Sequence, residues 1–456
     1  MATTPFFDPT LLSKYNTSGP RYTSYPTALE FNSAFTQDDL VRAVKQSNNN
    51  ALSLYIHIPF CHSLCYYCGC NKVVTRHRDK ADIYLDYLIK EITARAPLFK
   101  DHRVTQIHLG GGTPSFLTNE QLTRLIDSIN ASFNVTLEVE QSIEIDPREI
   151  ELSLADHLWS LGFNRLSIGV QDIDEKVQQA INRVQSTAFI AEFIAHAKNV
   201  GFRSVNIDLI YGLPHQTTDT FARTLAKAKA MDVDRISLFS YAHLPNRFAA
   251  QRKLKDEWLP SAPEKFALMK QAIETLCSYG YELIGMDHFA KPSDELAKAQ
   301  TEGTLHRNFQ GYTTQGNADL LGLGVSSISA IGYSYSQNQK ELKAYYQAID
   351  ADAHAVDKGL TLSRDDIIRG AVIRSLMCNY YVSKHQINKQ FNIEFDRYFA
   401  DDLPMLDTFI ADGLVESDED AIYVSPKARL LIRNICMSFD VYMKQHINQQ
   451  RFSRVI

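Results

Sequence analysis

A chain of 456 residues is long enough to form two or three domains, each with a substantial hydrophobic core. Its composition, 45% hydrophobic and 22% charged, excludes a disordered or fibrous protein, and the formal net charge of −6 gives no electrostatic reason to expect nucleic acid or an anionic membrane as the main partner. The sequence starts without the basic stretch and apolar core of a secretory signal, which predicts a cytoplasmic location. We expect no membrane insertion, because the longest uncharged stretch (320–333) is short and rich in Gly and Ser.

The N-terminal segment, residues 1–48, differs in composition from the rest of the chain. It contains the stretch KYNTSGPRYTSYPTALEFN, which is rich in Pro, Tyr and Thr and shows no helical or strand period. Such a stretch does not predict a hydrophobic core of its own. We therefore expect an ordered arm rather than a separate domain.

Residues 49–290 alternate between short apolar strands and amphipathic helices. The helical pattern is clear in NEQLTRLIDSINASF (119–133), where apolar residues recur at positions i, i+3, i+4 and i+7. The strand candidates lie at 52–58, 104–110, 140–146, 164–170, 204–210, 235–241 and 281–287. Alternating units of this kind predict an α/β fold with a parallel sheet, either open or curled into a barrel.

The notable polar and glycine residues of this region follow the ends of the predicted strands. In parallel α/β folds, reactive groups collect at the C-terminal ends of the strands and in the loops that follow them. The groups found there are, in strand order, a run of cysteines, the segment GGGTP (110–114), Glu144 with Asp146, Gln171, and Asp208. The sequence therefore predicts a site at this edge of the sheet.

The remaining residues predict two further segments. Residues 291–360 are rich in Gly, Ser, Gln and Asn, and we expect a connector that closes the barrel. Residues 361–456 are mainly helical, and GLVESDEDAIYVSP (413–426) predicts a β-hairpin after a helix, as in a winged helix. The predicted wing carries ESDED (416–420), which would repel phosphates, so we expect no nucleic-acid partner.

Four of the seven cysteines lie within CHSLCYYCGC (61–70), with the spacing C-x3-C-x2-C-x-C. Disulfides are disfavoured in the reducing cytoplasm expected here. A structural zinc site usually takes two pairs of ligands from separate segments, whereas a tight run of thiols on one loop favours an iron–sulfur cluster. The other cysteines are isolated in sequence: Cys277, Cys378 and Cys436. Zinc stays open as an alternative because histidines lie near the run: His57, His62 and His77.

The first three cysteines and the glycine segment together resemble the radical S-adenosylmethionine (SAM) superfamily. GGGTP alone is a weak signal, since a glycine run after a strand is often only a tight turn. In this superfamily, C-x3-C-x2-C holds a [4Fe–4S] cluster and the glycine segment one strand later binds SAM. The resemblance implies that Cys61, Cys65 and Cys68 each hold one iron, and that the fourth iron chelates the amino and carboxylate groups of SAM. It also implies a partial (β/α)6-type radical SAM barrel.

Longer motifs resemble one family within this superfamily, the oxygen-independent coproporphyrinogen III oxidases. They cover the N-terminal arm and most of the barrel: GPRYTSYPTA, YIHIPFCHSLCYYCGCNK, HLGGGTPSFL, EIDPRE, NRLSIGVQD and NIDLIYGLPHQT. The arm and the fourth cysteine, Cys70, distinguish the chain from haem-chaperone relatives. Cys70 is expected near the cluster without binding it, as a marker of this family.

This resemblance implies a reaction, and two other functions on the same fold remain as alternatives. The family oxidatively decarboxylates two propionate side chains of coproporphyrinogen III to vinyl groups, forming protoporphyrinogen IX. A radical removes a hydrogen atom from the carbon β to the carboxylate, a position that no side-chain base can deprotonate at neutral pH. The alternatives are a haem-trafficking protein and a haem-directed radical SAM methyltransferase.

The family pattern further implies a shell of residues around two SAM molecules. These residues lie in the cysteine loop, the glycine segment, the strand ends and the connector: Tyr55, Tyr67, Gly111, Gly112, Thr113, Glu144, Gln171, Arg183, Asp208, Ala242 and Ile328. Glu144 is expected to hold hydroxyls or the amino group of a SAM, and Arg183 is a suitable partner for a SAM carboxylate. No catalytic residue is expected beyond this shell.

The arm carries residues suited to a flat tetracarboxylate. Lys14, Arg21, Tyr22 and Tyr25 could bind such a substrate through charge and aromatic contact, or could simply pack the arm against the rest of the protein. The other expected partners are an electron donor and an electron acceptor that the sequence does not identify. We expect a monomer.

Overall fold

The protein is described by a computed structural model that covers residues 8–352 and 354–443. Its strands within these residues are Ala51–Ile58 (β1), Phe60–Cys61 (β2), Val73–Val74 (β3), Arg103–Gly111 (β4), Val135–Ile145 (β5), Arg165–Gln171 (β6), Ser204–Tyr211 (β7), Arg235–Ser240 (β8), Glu282–Gly285 (β9), His288–Ala290 (β10), His306–Asn308 (β11), Gly311–Thr313 (β12), Ala318–Leu323 (β13), Ile328–Ile331 (β14), Ser334–Asn338 (β15), Val356–Thr361 (β16), Tyr381–Ser383 (β17), Val415–Ser417 (β18) and Ala421–Val424 (β19). Its α-helices are Pro9–Lys14 (α1), Gln37–Gln46 (α2), Asp79–Arg95 (α3), Asn119–Ser132 (α4), Ser153–Ser160 (α5), Glu175–Ala180 (α6), Thr187–Val200 (α7), Thr218–Ala230 (α8), Ala262–Ser278 (α9), Glu295–Thr301 (α10), Leu342–Asp352 (α11), Arg364–Asn379 (α12), Lys384–Phe391 (α13), Phe395–Tyr398 (α14), Asp407–Ala411 (α15) and Ile432–Met437 (α16). In this part of the chain, every helix is too short or too polar to cross a bilayer.

The chain divides into two compact units. The barrel unit comprises Phe31–Leu268 and Asn317–Thr361. The C-terminal unit comprises Met269–Gly316 and the described parts of Met1–Glu30 and Leu362–Ile456. The four-segment division expected from the sequence stays a prediction.

The barrel unit is built on a sheet with the strand order β16-β15-β14-β13-β1-β4-β5-β6-β7-β8. Strands β1 and β4 to β8 pair in parallel with their neighbours, and helices α3 to α8 form the connections between them. Because both faces of the strands are covered, buried residues form near-continuous runs, as in β1 and β6. The predicted α/β fold with a partial (β/α)6-type radical SAM barrel is confirmed.

The register of this sheet brings the predicted site residues to one edge. Ile58, the last residue of β1, pairs with Gly111, the last residue of β4. In the next strands, Glu144 pairs with Ser167, and Asp208 pairs with Gly169. All these strands run in the same direction, so the groups that follow them share the C-terminal edge of the sheet.

Residues 318–361, which the sequence predicts as part of a connector, contain four strands of the sheet. Strand β13 pairs in parallel with β1 from Ala51↔Ala318 to Ile56↔Leu323, and β14 to β16 continue as an antiparallel meander. The Gly- and Ser-rich composition hides these strands because the close approach of neighbouring backbones replaces side-chain bulk. At Gly322, for example, a Cβ atom would lie 2.5 Å from the carbonyl oxygen of Ile328.

The C-terminal unit combines helices α12 to α16 with a small antiparallel sheet in the order β17-β19-β18. Strands β18 and β19 form the hairpin predicted over 413–426. The mainly helical, winged-helix-like character of this region is therefore confirmed.

The N-terminal arm contains two helices that its composition does not predict. Helix α1 begins after Asp8, whose side chain accepts hydrogen bonds from the amide N–H groups of Thr10 and Leu11. Helix α2 begins with a capping box in which Thr36 and Asp39 bond reciprocally. The T-x-x-D spacing of that capping box is the sequence signal that could have indicated α2.

Candidate active site

The cysteine loop, residues 61–70, follows β1 and places three thiols beside polar groups of the neighbouring strands. The hydroxyl of Thr113 donates to Cys61 Sγ at 3.4 Å. The guanidinium groups of Arg148 and Arg183 donate to Cys65 Sγ at 3.4 and 3.5 Å. These donors are placed to hydrogen-bond the sulfur atoms of iron-bound cysteines.

The third and fourth cysteines of the loop interact with each other. The amide N–H of Cys70 donates to Cys68 Sγ at 3.4 Å, and the ammonium of Lys72 bonds the carbonyl oxygens of both residues. Hydrogen bonding from Cys70, together with the charge of Lys72, lowers the pKa of Cys68 to about 6. The hydrogen bond between the two thiols, which is the largest cause of both shifts, raises the pKa of Cys70. The lowered pKa favours the thiolate of Cys68, to which Cys70 donates hydrogen bonds.

The glycine segment after β4 packs directly against the start of the cysteine loop. The amide of Gly112 donates to the carbonyl oxygen of Ile58 at 2.8 Å. A Cβ atom at Gly112 would lie 2.6 Å from the backbone of Pro59, and one at Gly111, which has φ +117°, would lie 2.6 Å from the His57 ring. Only glycine allows this close approach.

A row of polar side chains runs across the ends of β1, β4 and β5. The Tyr55 hydroxyl lies 3.3 Å from His57 Nδ1, and its ring stacks on His108 with centroids 5.9 Å apart. His108 Nε2 lies 3.4 Å from Glu144 Oε1, and the amide of Gly111 donates to Glu144 Oε2 at 3.2 Å. The structure therefore brings together Tyr55, Gly111 and Glu144 of the predicted shell.

Asp208 and Gln171 continue this edge at the ends of β7 and β6. Asn206 donates to Asp208 Oδ1 at 2.9 Å. Burial and the nearby charge of Glu144 raise the pKa of Asp208 to about 7. Gln171 has a left-handed backbone with φ +64°, which carries its side chain out of the regular strand alternation.

Arg183 lies at the cysteine loop and already has protein partners. Its guanidinium donates to Asp146 Oδ2 at 3.1 Å and to the carbonyl oxygen of Gly169 at 2.7 Å, while its Nε is buried without a partner. Burial opposes ionisation of Asp146, but Arg183 and Arg148 outweigh it and lower the pKa of the carboxyl. These hydrogen bonds hold the positively charged guanidinium of Arg183 in place beside Cys65.

Tyr67 and Ala242 meet through a shared side chain. Their carbonyl oxygens both accept from the amide group of Gln251, at 2.9 and 3.2 Å. The Tyr67 ring packs on a buried cluster that includes Val177 and Tyr241. The cysteine loop is thereby connected to the segment that follows β8.

Ile328 begins β14, and its backbone contacts Gly322, which pairs with Tyr55 across β1 and β13. Tyr84 also ties this region to the site. Its hydroxyl donates to the carbonyl oxygen of His57 at 2.6 Å and accepts from the amide of Val325 at 3.1 Å.

The arm residues considered for substrate binding contact other parts of the C-terminal unit. Lys14 pairs with Asp412 at 2.6 Å, and Arg21 forms an ion pair with Asp287. Tyr22 donates to Asp440 Oδ2 at 2.9 Å, and the Tyr25 hydroxyl accepts from the amide of Val441 at 3.3 Å. Both tyrosines are buried. These contacts favour the packing alternative, and a substrate role for Arg21, Tyr22 and Tyr25 stays a prediction.

The residues present fit a [4Fe–4S] cluster with SAM. Cys61, Cys65 and Cys68 supply three thiols on one loop, each beside a hydrogen-bond donor. Within the described residues, no three His, Cys, Asp or Glu side chains converge as the ligands of a single metal ion do. A cluster does not require that convergence, because each cysteine binds a different iron. The unpartnered Nε of Arg183 adds a buried donor for an anionic ligand.

Two residues at the site were not predicted from the sequence. Arg148 lies in the motif EIDPRE and donates to Cys65, yet an arginine after a strand gives no sign of a thiol partner. Gln251 lies in the 3-10 helix Ala249–Lys253, far from the cysteine loop in sequence, and its role depends on a contact made only in the folded protein. Neither carries a spacing signal that would have identified it.

The parallel barrel, the three thiols and the glycine segment define a radical SAM protein. Residues 55–228 match the Radical SAM superfamily, and residues 362–431 match the HemN C-terminal domain. The cofactors of this superfamily are a [4Fe–4S] cluster and SAM.

Relatives over the full length define the family more closely. The oxygen-independent coproporphyrinogen III oxidases of Salmonella typhimurium and Escherichia coli are both 55% identical to this chain, covering 99% of it and 98% of their own length. The Pseudomonas aeruginosa protein of the same name is 46% identical over 99% of each chain. The solved structure of coproporphyrinogen III oxidase (HemN) from Escherichia coli, described as a radical SAM enzyme, superposes with a TM-score of 0.94 at 53% identity and covers 96% of this chain and 100% of that one. This chain belongs to the family of oxygen-independent coproporphyrinogen III oxidases.

Proposed function

We propose that this protein catalyses the oxidative decarboxylation of two propionate side chains of coproporphyrinogen III to vinyl groups, giving protoporphyrinogen IX in oxygen-independent haem biosynthesis. The observation that carries the proposal is the extent of the family match, which covers the arm, the barrel and the C-terminal unit together. When held by the residues of the chain, the cluster and SAM would supply one-electron chemistry, in which SAM is cleaved to methionine and a hydrogen atom is removed from the substrate.

The residues of the chain hold and orient the cofactors. Cys61, Cys65 and Cys68 would bind three irons and leave one iron for SAM, in the way that catalytic metal sites keep a position open. Glu144 and Asp208 are suited to accept hydrogen bonds from SAM hydroxyl or amino groups.

Two SAM molecules are proposed, as membership of the family implies. Tyr55 and Glu144 are connected through His108, and the amide of Gly111 donates to Glu144. Arg183 donates to the carbonyl oxygen of Gly169, which pairs with Asp208. Tyr67 and Ala242, whose carbonyl oxygens both accept from Gln251, are proposed to border one of the two SAM sites. Thr113, Gly112, Gln171 and Ile328 are proposed to complete the two sites.

We further propose that the protein is a cytoplasmic monomer. It would receive electrons from one unidentified partner, the electron donor, and pass electrons to another, the electron acceptor. The haem-trafficking and methyltransferase alternatives are not favoured by the names of the full-length relatives. Cys70 and the PRYTSYP arm, which the haem-chaperone relatives usually lack, also argue against the first of these alternatives.

The function is tested by anaerobic reconstitution with iron and sulfide, followed by SAM, a reductant and coproporphyrinogen III. We expect vinyl product, CO2 and 5′-deoxyadenosine to accumulate together. Radical formation without vinyl product would support the methyltransferase instead. Tight haem binding without SAM cleavage would support the trafficking protein.

A further inference from the structure

A short turn, residues 244–254, lies across the cysteine loop of the barrel unit. The Phe248 ring covers Gly69, where a Cβ atom would lie 2.9 Å from Phe248 Cζ. The ammonium of Lys253 lies 5.5 Å from the centroid of the Tyr66 ring. The turn therefore contacts the loop at two places, Gly69 and Tyr66.

Gln251 makes the polar contacts of this turn. Its side chain is buried with 2% exposed. The carboxamide NH2 donates to the carbonyl oxygens of Tyr67 and Ala242, and the carboxamide oxygen accepts from the amide of Leu244 at 2.6 Å. Both hydrogens and the oxygen of the carboxamide are therefore bonded to three backbone groups, one in the cysteine loop and two in the segment after β8.

We propose that Gln251 is a positioning residue, which fixes the cysteine loop relative to the segment after β8 so that both present their backbone to SAM. The inference rests on the proposed function, in which Tyr67 and Ala242 border a SAM site. Removing the carboxamide leaves the buried carbonyl groups of Tyr67 and Ala242 without a hydrogen-bond donor. Because an unpaired buried carbonyl is unfavourable, we expect the backbone at these two residues to shift. None of the three thiols bonds to Gln251, so the cluster itself should assemble without it.

The test compares Gln251→Met with Gln121→Met in the reconstituted full-length protein. Methionine keeps the length of the side chain and removes its hydrogen bonds. Gln121 is a matched control because it is also buried, with 6% exposed, and also bonds three groups: the carbonyl of Arg78, the carboxylate of Asp82 and the amide of Thr118. Those contacts join α3 and α4 rather than the segments at the cluster.

We expect both variants to bind iron as the wild type does. Gln251→Met should raise the KM for SAM by about tenfold, measured as 5′-deoxyadenosine formed with dithionite alone, corresponding to the loss of one to two buried hydrogen bonds. Gln121→Met should leave this KM within about twofold. The change that SAM causes in the electron paramagnetic resonance signal of the reduced cluster should need correspondingly more SAM in the Gln251 variant.

A KM for SAM in Gln251→Met equal to that of Gln121→Met would overturn the proposal. So would loss of iron in both Gln251→Met and Gln251→Glu, because the role would then be structural. The Glu variant keeps an acceptor for Leu244 and places a carboxylate against two carbonyls, so its KM should rise further. The assay contains no porphyrinogen, so its result stays readable even if the proposed decarboxylation fails.

Discussion

At the scale of single residues, the thiols of the cysteine loop have different electrostatic surroundings. Burial raises the pKa of Cys61 to about 11, whereas hydrogen bonds from Cys70 and Lys72 lower that of Cys68 to about 6. Iron binds thiolates, so the proposed cluster assembly requires Cys61 to lose a proton against its raised pKa, whereas the lowered pKa of Cys68 favours its thiolate. Cys70 contributes to this difference through its hydrogen bond to Cys68, and its absence from the set of iron ligands stays a prediction.

Serine substitutions separate these roles. Cys61→Ser, Cys65→Ser and Cys68→Ser should each abolish binding of the cluster, because serine does not replace a thiolate on iron. Cys70→Ser should retain the iron, since a hydroxyl can still donate to Cys68. Iron and sulfide content after anaerobic reconstitution measures both effects. A Cys70→Ser protein that binds no iron would show that Cys70 is a ligand.

The raised pKa of Asp208 predicts that SAM binding depends on pH. Its pKa is raised to about 7 by burial and by Glu144. The carboxyl is neutral below this pH and becomes an anionic acceptor above it, so SAM binding should strengthen as the pH rises. We expect the KM for SAM to fall by about tenfold between pH 6 and pH 8, following the ionised fraction. In Asp208→Asn this change should be absent, and an identical pH profile in both proteins would refute the role.

At the scale of elements, the loop after β4 depends on its contact with the loop after β1. Gly112→Ala would place a methyl group 2.6 Å from the backbone of Pro59, which cannot move as a side chain can. We expect this variant to lose SAM cleavage by at least about tenfold while the rest of the protein folds. Gly370→Ala is the control, because its nearest neighbour lies at 3.5 Å. Normal SAM cleavage by Gly112→Ala would contradict this packing.

Helix α3 is joined to the strands after β13 by one buried carboxylate. Glu91, with no exposed surface, accepts hydrogen bonds from the amide of Gly324 at 2.8 Å, from Asn338 at 2.7 Å and from the Tyr345 hydroxyl at 2.8 Å. Glu91→Ala leaves these donors unpaired and should lower the free energy of unfolding by about 3 kcal/mol.

Denaturant unfolding of the cluster-free protein measures this loss. The exposed Asp127 on α4 provides the control, and Asp127→Ala should change the stability by less than about 0.5 kcal/mol. Equal stability of the two variants would mean that the hydrogen bonds of Glu91 do not hold α3 in place.

The six parallel strands could be predicted because each is a short apolar run followed by a helical pattern, and their ends agree with the expected ones within one residue, except that β5 begins at Val135 rather than at 140. Strands β13 to β16 could not, since their Gly, Ser and Gln residues have low strand propensity and are ordered by pairing with β1 and with each other. Helix α2 could have been predicted from its capping box, Thr36 with Asp39, although the composition of the arm gives no helical period.

The candidate site was predictable where it depends on local spacing. The thiols and glycines of 61–70 and 110–114 fall close together because consecutive parallel strands end at the same edge. The contacts of Arg148 with Cys65 and of Gln251 with Tyr67 join residues far apart in sequence, so no local pattern specifies them. The partners of Arg21, Tyr22 and Tyr25 were also decided by distant residues of the C-terminal unit.

At the scale of the whole molecule, the match to the relatives extends over both units of the chain. The barrel unit carries the proposed cofactor residues, and the C-terminal unit contains the arm residues 8–30 and the winged-helix-like sheet. The relatives match over 98% or more of their own length, so identity is not confined to the cluster loop. A full-length match of this kind supports a shared reaction as well as a shared fold.

The proposed reaction begins with removal of a hydrogen atom from the propionate carbon β to the carboxylate. Coproporphyrinogen III that carries deuterium at this carbon shows whether that step occurs. We expect deuterium to appear in 5′-deoxyadenosine, in step with the formation of vinyl groups and CO2. Vinyl product formed while 5′-deoxyadenosine stays free of deuterium would rule out this step.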